Sequence, residues 1–191
     1  IIPGPSKAGA QLEGSKAFAK QVMSEAGVPT AGYWVATTPE EVAAVLDRLD
    51  PPYVIKHDEL AAGKGVVVTD DRAAAEAHAL GHRVVIEEYL DGPEVSLFAV
   101  CHFDEEGAGA FPMQPAQDFK RIFDGDEGGN TGGMGSYTPL TWAEPGLVDQ
   151  VMREVVLPTL HEMWERGTPF SGLLFVGLAI TAAGPRVIEF N

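Results

Sequence analysis

Apolar and polar positions in this chain follow two periods, and the switches between them mark the elements. Over 15–26, Phe18 and Val22 stand four apart, the spacing of one helix face; Ser15 is placed to cap the start and Gly27-Val28-Pro29 to end it. Tyr33-Trp34-Val35-Ala36 is a short strand. Thr38-Pro39-Glu40-Glu41 then opens a helix that runs to Leu49, with Thr38 as cap, Pro39 at the first helical position and Glu41 completing a capping box; Asp50-Pro51-Pro52 stops it. Two apolar runs follow, at Tyr53 to Lys56 and from Val66 to Val68, joined by a loop of small residues. Asp70-Asp71-Arg72 starts an alanine-rich helix that ends near Gly81, and Val84 to Tyr89 is a strand with Asp91-Gly92 as its turn. Residues 32–88 therefore read as one α+β unit: strand, helix, two strands, helix, strand.

The texture changes from Glu94. Val95 to Phe103 and Phe111 to Ala116 are predicted strands, and a long glycine-rich loop is expected over Asp124 to Tyr137. A helix is predicted over 146–166, kinked or broken by Pro158. Leu173 to Thr181 and Arg186 to Phe190 are strands joined by a tight Ala-Gly-Pro turn.

Charge narrows the function. Thirteen Lys and Arg stand against 28 Asp and Glu, a net of −15, which argues against bulk binding to nucleic acid or anionic membrane. A few lysines focused in a cleft still hold phosphate against such a background. No apolar run is long enough to span a bilayer. The single cysteine, Cys101, lies in an apolar run and excludes an internal disulfide; with no export signal at the start, a cytoplasmic location is expected. No zinc site is predicted from the five histidines.

Five constellations carry candidate chemistry. Lys56 ends one apolar run, and Lys64 sits between Gly63 and Gly65, just before Val66, in a loop whose backbone can approach a polyphosphate. It is not a Walker A loop, since glycine follows the Gly-Lys pair and two strands flank it. Taken alone it reads equally as a glycine-tipped hairpin. Glu189 and Asn191 lie two apart on a strand and share a face, a pair of hard oxygen donors suited to Mg²⁺, or else a strand charge and a terminal turn residue. Ile86 to Leu90 joins two lobes, where a flat heterocycle can wedge, or else forms a solvated acidic turn; only one of Glu87 and Glu88 can point inward, and Glu94 lies just beyond. Gln117-Asp118-Phe119-Lys120-Arg121 precedes the glycine-rich loop, whose segment Asn130 to Gly135 would expose a nest of backbone N–H groups for an anion, or form a surface loop. Lys16 heads the first predicted helix, as a phosphate ligand or a surface charge.

Together these motifs resemble the ATP-grasp superfamily and, within it, the phosphoribosylamine–glycine ligases (glycinamide ribonucleotide synthetases). The resemblance rests on Gly-Pro-Ser-Lys-Ala (4–8), Gln-Leu-Glu-Gly-Ser-Lys-Ala-Phe (11–18), Val-Ile-Lys (54–56), Leu-Ala-Ala-Gly-Lys-Gly-Val (60–66), Ile-Glu-Glu-Tyr-Leu-Asp-Gly (86–92), Asn-Thr-Gly-Gly-Met-Gly (130–135) and Glu-Phe-Asn (189–191), in family order. It implies an α+β fold of two lobes with the nucleotide between them: a leading segment, 1–31, packing on the core lobe, a lid lobe over 32–88 and a core lobe over 89–191. It implies ATP-dependent ligation of glycine to 5-phosphoribosylamine through glycyl phosphate, within purine biosynthesis.

The family pattern maps Lys16, Lys56 and the loop Gly63, Lys64, Gly65 and Val66 to ATP phosphates. Glu87, with backbone at Tyr89 and Leu90, would hold adenine, and Glu94 the ribose. Glu189 and Asn191 would bind Mg²⁺ or Mn²⁺. Lys120 and Arg121 are the implied catalytic cations, and Asp118, Asn130, Thr131, Gly132 and Gly133 would face the substrates. Three positions depart from the pattern: Phe119 stands where histidine is usual, His57-Asp58-Glu59 where Ala-Asp-Gly is usual, and Gly129 at a common proline position. Both ends are read as cut, with an N-terminal domain and a C-terminal continuation of the parent lying outside, so the chain alone is expected to bind nucleotide weakly and not to complete the ligation. Two other readings stay open: another ATP-grasp carboxylate ligase, and a nucleotide-binding module that has lost catalysis.

Overall fold

The computed structural model describes residues 4–60, 65–105, 107–125 and 127–191. The short helix α1 (Gln11–Gly14) leads into α2 (Lys16–Glu25), whose N-cap Ser15 accepts from the Phe18 amide. The first sheet follows: β1 (Tyr33–Ala36), α3 (Pro39–Leu46), β2 (Tyr53–His57), β3 (Val66–Thr69), α4 (Arg72–Ala79) and β4 (Val84–Glu87), with strand order β1-β4-β2-β3. The capping box of α3 forms as the sequence predicts: the Thr38 hydroxyl accepts from the Glu41 amide, and the Glu41 carboxylate accepts from the Thr38 amide. Val42, Leu46, Ile55, Ala75, Val84 and Ile86 are buried between these two helices and their sheet.

The second sheet is built from β5 (Glu94–Asp104), β6 (Gly107–Pro112), β9 (Gly172–Thr181) and β10 (Gly184–Phe190), in the order β10-β9-β5-β6 with every pair antiparallel. The predicted strand at 111–116 begins earlier, at Gly107, because β6 pairs with the far end of β5. One face of this sheet is dry. Val95, Leu97, Ala99, Leu174, Val176, Leu178, Val187 and Phe190 pack there with Leu12, Val22 and Met23 of α1 and α2 and with the long C-terminal helix. That helix is continuous but irregular: α5 (Leu147–Val151), a π-helical turn over Met152–Val156, and α6 (Leu157–Glu165). Pro158 has no N–H for the carbonyl of residue 154 and crowds it, and the turn before it opens, with the Leu157 amide reaching back to the Met152 carbonyl.

The glycine-rich segment expected as a loop is instead strand. β7 (Gln117–Phe123) and β8 (Glu127–Tyr137) form an antiparallel hairpin. The partner of Phe119 is Gly135, but the partner of Arg121 is Asn130, so β8 carries extra residues in a bulge. Glycine permits this, since Gly133 adopts φ +126 and Gly135 φ +148. The run of free backbone amides is correspondingly reduced: within the bulge the Gly133 amide donates to Thr131 Oγ1, whose hydroxyl donates to the Lys120 carbonyl.

Candidate functional site

The second sheet's other face gathers the polar chemistry. Cross-strand partners share a face, and register places Ser96, Gly177 and Glu189 in one row and Phe98 and Phe175 in another. Asn191 exchanges two backbone hydrogen bonds with Phe175, which extends the ladder one residue beyond β10. Glu189 and Asn191 therefore do stand on one face, with Phe190 between them turned into the core. Gly177 keeps the row open. A Cβ there would meet the Phe175 ring at 3.2 Å and Glu189 Cγ at 3.4 Å.

Across from this face, α2, β2 and β4 supply a buried ionic triad. Glu87 is the inward carboxylate. Its Oε2 lies 2.8 Å from Lys20 Nζ and its Oε1 lies 3.0 Å from Lys56 Nζ, all three side chains being nearly inaccessible. Glu88 faces out and accepts from the Gly32 amide. Lys20 also donates to Thr30 Oγ1, and Lys56 donates to the Ile188 carbonyl on β10, so the triad ties both sheets together. Burial pushes the Lys20 ammonium down to about 8, with Glu87 opposing and Lys56 adding to the shift. Although Oε1 of Glu87 is in ion-pair contact with Lys56, it makes no well-aligned hydrogen bond among the described residues. A buried acceptor is thus left open beside a cleft bordered by Lys16, Lys20, Glu87, Glu189 and Asn191.

A second polar group flanks the same face. Lys120 Nζ lies 3.7 Å from Glu94 and 3.6 Å from Asp118, and the Ser96 hydroxyl reaches Asp118 at 3.4 Å. Arg121, the next residue on β7, alternates to the opposite face and lines the hairpin tip with Phe119 and Phe123. The structure thus brings Lys120, Asp118 and Glu94 together and leaves Arg121 apart from them. Tyr89 is exposed and Leu90 half-buried in the connection after β4. Val66 begins β3, and the Gly65 carbonyl just before it accepts from the His57 amide. Gly63, Lys64 and the side chain of Asn130 lie outside the described residues.

Sequence reasoning does not single out Lys20, although a signal is present: it falls on the helix stripe of Ala19, Val22 and Met23, where a lysine needs a buried partner. Asp58 is a second anchor that sequence reasoning misses. Its carboxylate accepts from the Ala17 amide and the Ser15 hydroxyl at the start of α2 and pairs with Arg83 at 2.8 Å. Lys16 donates to the neighbouring Glu59 carbonyl. Cys101 is buried, and burial raises its thiol to about 11, as befits a core residue rather than a nucleophile.

Residues 14–191 match the family described as phosphoribosylglycinamide synthetase, ATP-grasp (A) domain. The phosphoribosylamine–glycine ligase of Streptomyces coelicolor is 65% identical over 189 residues, 98% of this chain and 44% of the relative. The crystal structure of the phosphoribosylamine–glycine ligase of Thermotoga maritima superposes with a TM-score of 0.87 at 37% identity, covering 98% of this chain and 49% of that one. The D-alanine–D-alanine ligase of Bacillus anthracis, complexed with ATP, shares the fold at a TM-score of 0.69 and 17% identity, covering 99% of this chain and 58% of its own. The chain spans less than half the length of the curated relatives it matches.

Proposed function

The chain belongs to the phosphoribosylglycinamide synthetase ATP-grasp (A) domain family, and from that premise we propose that it is the nucleotide-binding part of a cytoplasmic ligase that joins glycine to 5-phosphoribosylamine using ATP. One observation carries the assignment of the nucleotide site. The Glu87 carboxylate is fixed between Lys20 and Lys56, and its Oε1 is left open beside a cleft bordered by Lys16, Glu189 and Asn191.

In this reading Glu87 Oε1 accepts from the adenine amino group, the backbone at Tyr89 and Leu90 completes the base contacts, and Glu94 holds the ribose. Lys16, Lys56 and the loop from Gly63 to Val66 are assigned to the phosphates. Two lysines against one glutamate leave the triad with a net positive charge, which focuses attraction for phosphate within an acidic protein. Glu189 and Asn191 fit Mg²⁺ or Mn²⁺ by donor chemistry, since a carboxylate and a carboxamide oxygen on one face leave other positions for water and phosphate. The bound ion supplies positive charge to the phosphoryl oxygens.

A glycine carboxylate oxygen attacks the γ-phosphorus and ADP departs, giving glycyl phosphate. The amine of phosphoribosylamine then attacks the acyl carbon and phosphate departs, the amine losing a proton. Lys120, held near Glu94 and Asp118, offers positive charge to the transferred group, with the Asn130–Gly133 stretch of β8 toward the substrates. The acyl phosphate hydrolyses in water, which gives the unit over 32–88 its role as a lid on the core over 89–191, with 1–31 packed on the core.

Calorimetric titration with ATP, with and without Mg²⁺, tests the nucleotide half. Magnesium-dependent binding that Glu189→Gln removes is expected; a folded chain that ignores ATP, in a full-length parent as well, overturns it. Turnover by the full-length parent tests the reaction. Glycinamide ribonucleotide formed from glycine and phosphoribosylamine is expected, and turnover with another carboxylate but not glycine would sink the assignment.

A further inference from the structure

A separate set of ligand atoms lies on the first sheet, and none of its residues borders the cleft. His57 ends β2, Glu59 follows two residues later, and His82 lies in the turn between α4 and β4. Register pairs His57 with Val84, which returns the turn carrying His82 alongside His57. His57 and His82 are 25 residues apart in sequence, a spacing that carries no metal motif.

The rings are held. His57 Nε2 lies 2.9 Å from the His78 carbonyl oxygen. A carbonyl only accepts, so Nε2 carries the proton and, in the neutral ring, Nδ1 presents its lone pair. A backbone carbonyl in this position is the outer partner that metal-ligating histidines use to fix tautomer and ring plane. The His57 ring is sandwiched between His78, with centroids 4.3 Å apart, and His82, at 3.8 Å. Its Nδ1 lies 4.0 Å from Glu59 Oε1, and His82 Nδ1 lies 3.3 Å from the same oxygen. The three ligand atoms fall within 4.8 Å of one another.

We propose that His57 Nδ1, His82 Nδ1 and the Glu59 carboxylate form a binding site for one transition-metal dication of the Zn²⁺ class, with water in the fourth position. Two imidazoles and a carboxylate form a donor set suited to Zn²⁺ and to its spectroscopic substitute Co²⁺, not to Mg²⁺, which prefers an all-oxygen shell. Tetrahedral bonds of about 2.0–2.1 Å set ligand atoms roughly 3.3–3.4 Å apart, so the Glu59–His82 spacing already fits and the His57–Glu59 spacing has less than ~1 Å to close. Near-parallel rings cannot both aim their lone pairs at one ion. His57 is fixed by its hydrogen bond and by His78, while the His82 side chain is 41% exposed; His82 is therefore the ligand that turns, about its Cβ–Cγ bond. The site is independent of the ligase reading, since it shares no residue with the nucleotide cleft.

The test is titration of Zn²⁺ into the 191-residue chain, free of any histidine tag, in buffer containing excess Mg²⁺. One-to-one binding is expected, weakened about tenfold or more by Glu59→Gln and by His82→Ala, both changes at exposed side chains. Absence of saturable Zn²⁺ binding by the folded chain, or affinity that both variants leave within about twofold, overturns the proposal. X-ray absorption of the Zn²⁺-loaded wild type tests the same ligand set without a variant. Two imidazoles with oxygen are expected around the ion, and any other ligand shell overturns the assignment.

Discussion

Lys20 Nζ and Glu87 Oε2 lie 2.8 Å apart with 2% and 3% of their side chains exposed. A buried pair is costly to break on one side, by about 3–5 kcal/mol, because the survivor is left charged and unsolvated. Here the two sides are unequal. Lys20→Met leaves Glu87 with Lys56, whereas Glu87→Leu leaves two ammonium groups facing each other. Glu87→Leu is therefore expected to destabilise more than Lys20→Met. Urea denaturation of the two variants checks this, and the reverse order would refute the triad as described.

The Lys20 ammonium also sets a pH dependence. Burial lowers it from 10.5 to about 8. Below about 8 the folded and unfolded chains both hold the proton, and the penalty for burying the charge is present in full. Between about 8 and 10.5 only the unfolded chain still holds it, so this group's contribution to stability rises with pH across that window. The gap corresponds to about 3 kcal/mol. Lysine-selective NMR titration should show one amine with a midpoint near 8, missing from Lys20→Met; a full set of lysines near 10.5 would exclude it.

Thr38 caps α3 with a hydroxyl that accepts from the Glu41 amide. Thr38→Ala removes that acceptor and is expected to lower stability by about 1 kcal/mol. Thr38→Ser keeps the oxygen and should preserve most of that stability. Thermal unfolding of the pair distinguishes the cap from a packing effect, since equal losses in both would implicate the methyl group instead.

What is legible in the sequence is local. Ser15, Thr38, Glu41 and Pro39 act within a few residues of themselves, and their roles in starting α2 and α3 follow from spacing alone. Glu189 and Asn191 share a face because strand alternation is equally local. The hairpin of β7 and β8 is not legible, because its pairing depends on glycines that take up a bulge, and composition reads those glycines as loop. The same holds for Lys20, Asp58 and the His57–His82 pair, whose partners lie on other elements. Arg121 and Lys120 look equivalent as neighbours, and only the strand separates their faces.

Gly177 supplies the sharpest test of the open face. Two glycines near the site have different reasons for being glycine. Gly92 adopts φ +149, and a Cβ there would press into the Ile180 carbonyl, so Gly92→Ala is expected to cost folding stability. At Gly177 the nearest atoms to a Cβ are the Phe175 ring at 3.2 Å and Glu189 Cγ at 3.4 Å, contacts that side-chain adjustment can relieve, while the Glu189 carbonyl oxygen at 3.5 Å is at ordinary van der Waals distance. Gly177→Val would instead raise a branched side chain between Ser96 and Glu189, on the floor of the face that carries the proposed metal and phosphate ligands. The expectation is a folded variant whose Mg²⁺-dependent ATP affinity falls about tenfold or more, equivalent to about 1.4 kcal/mol of binding free energy. Circular dichroism melts alongside calorimetry separate the two effects. ATP affinity unchanged in a folded Gly177→Val would move the nucleotide off this face, whereas lost affinity with an unchanged melt would place it over the row from Ser96 to Glu189.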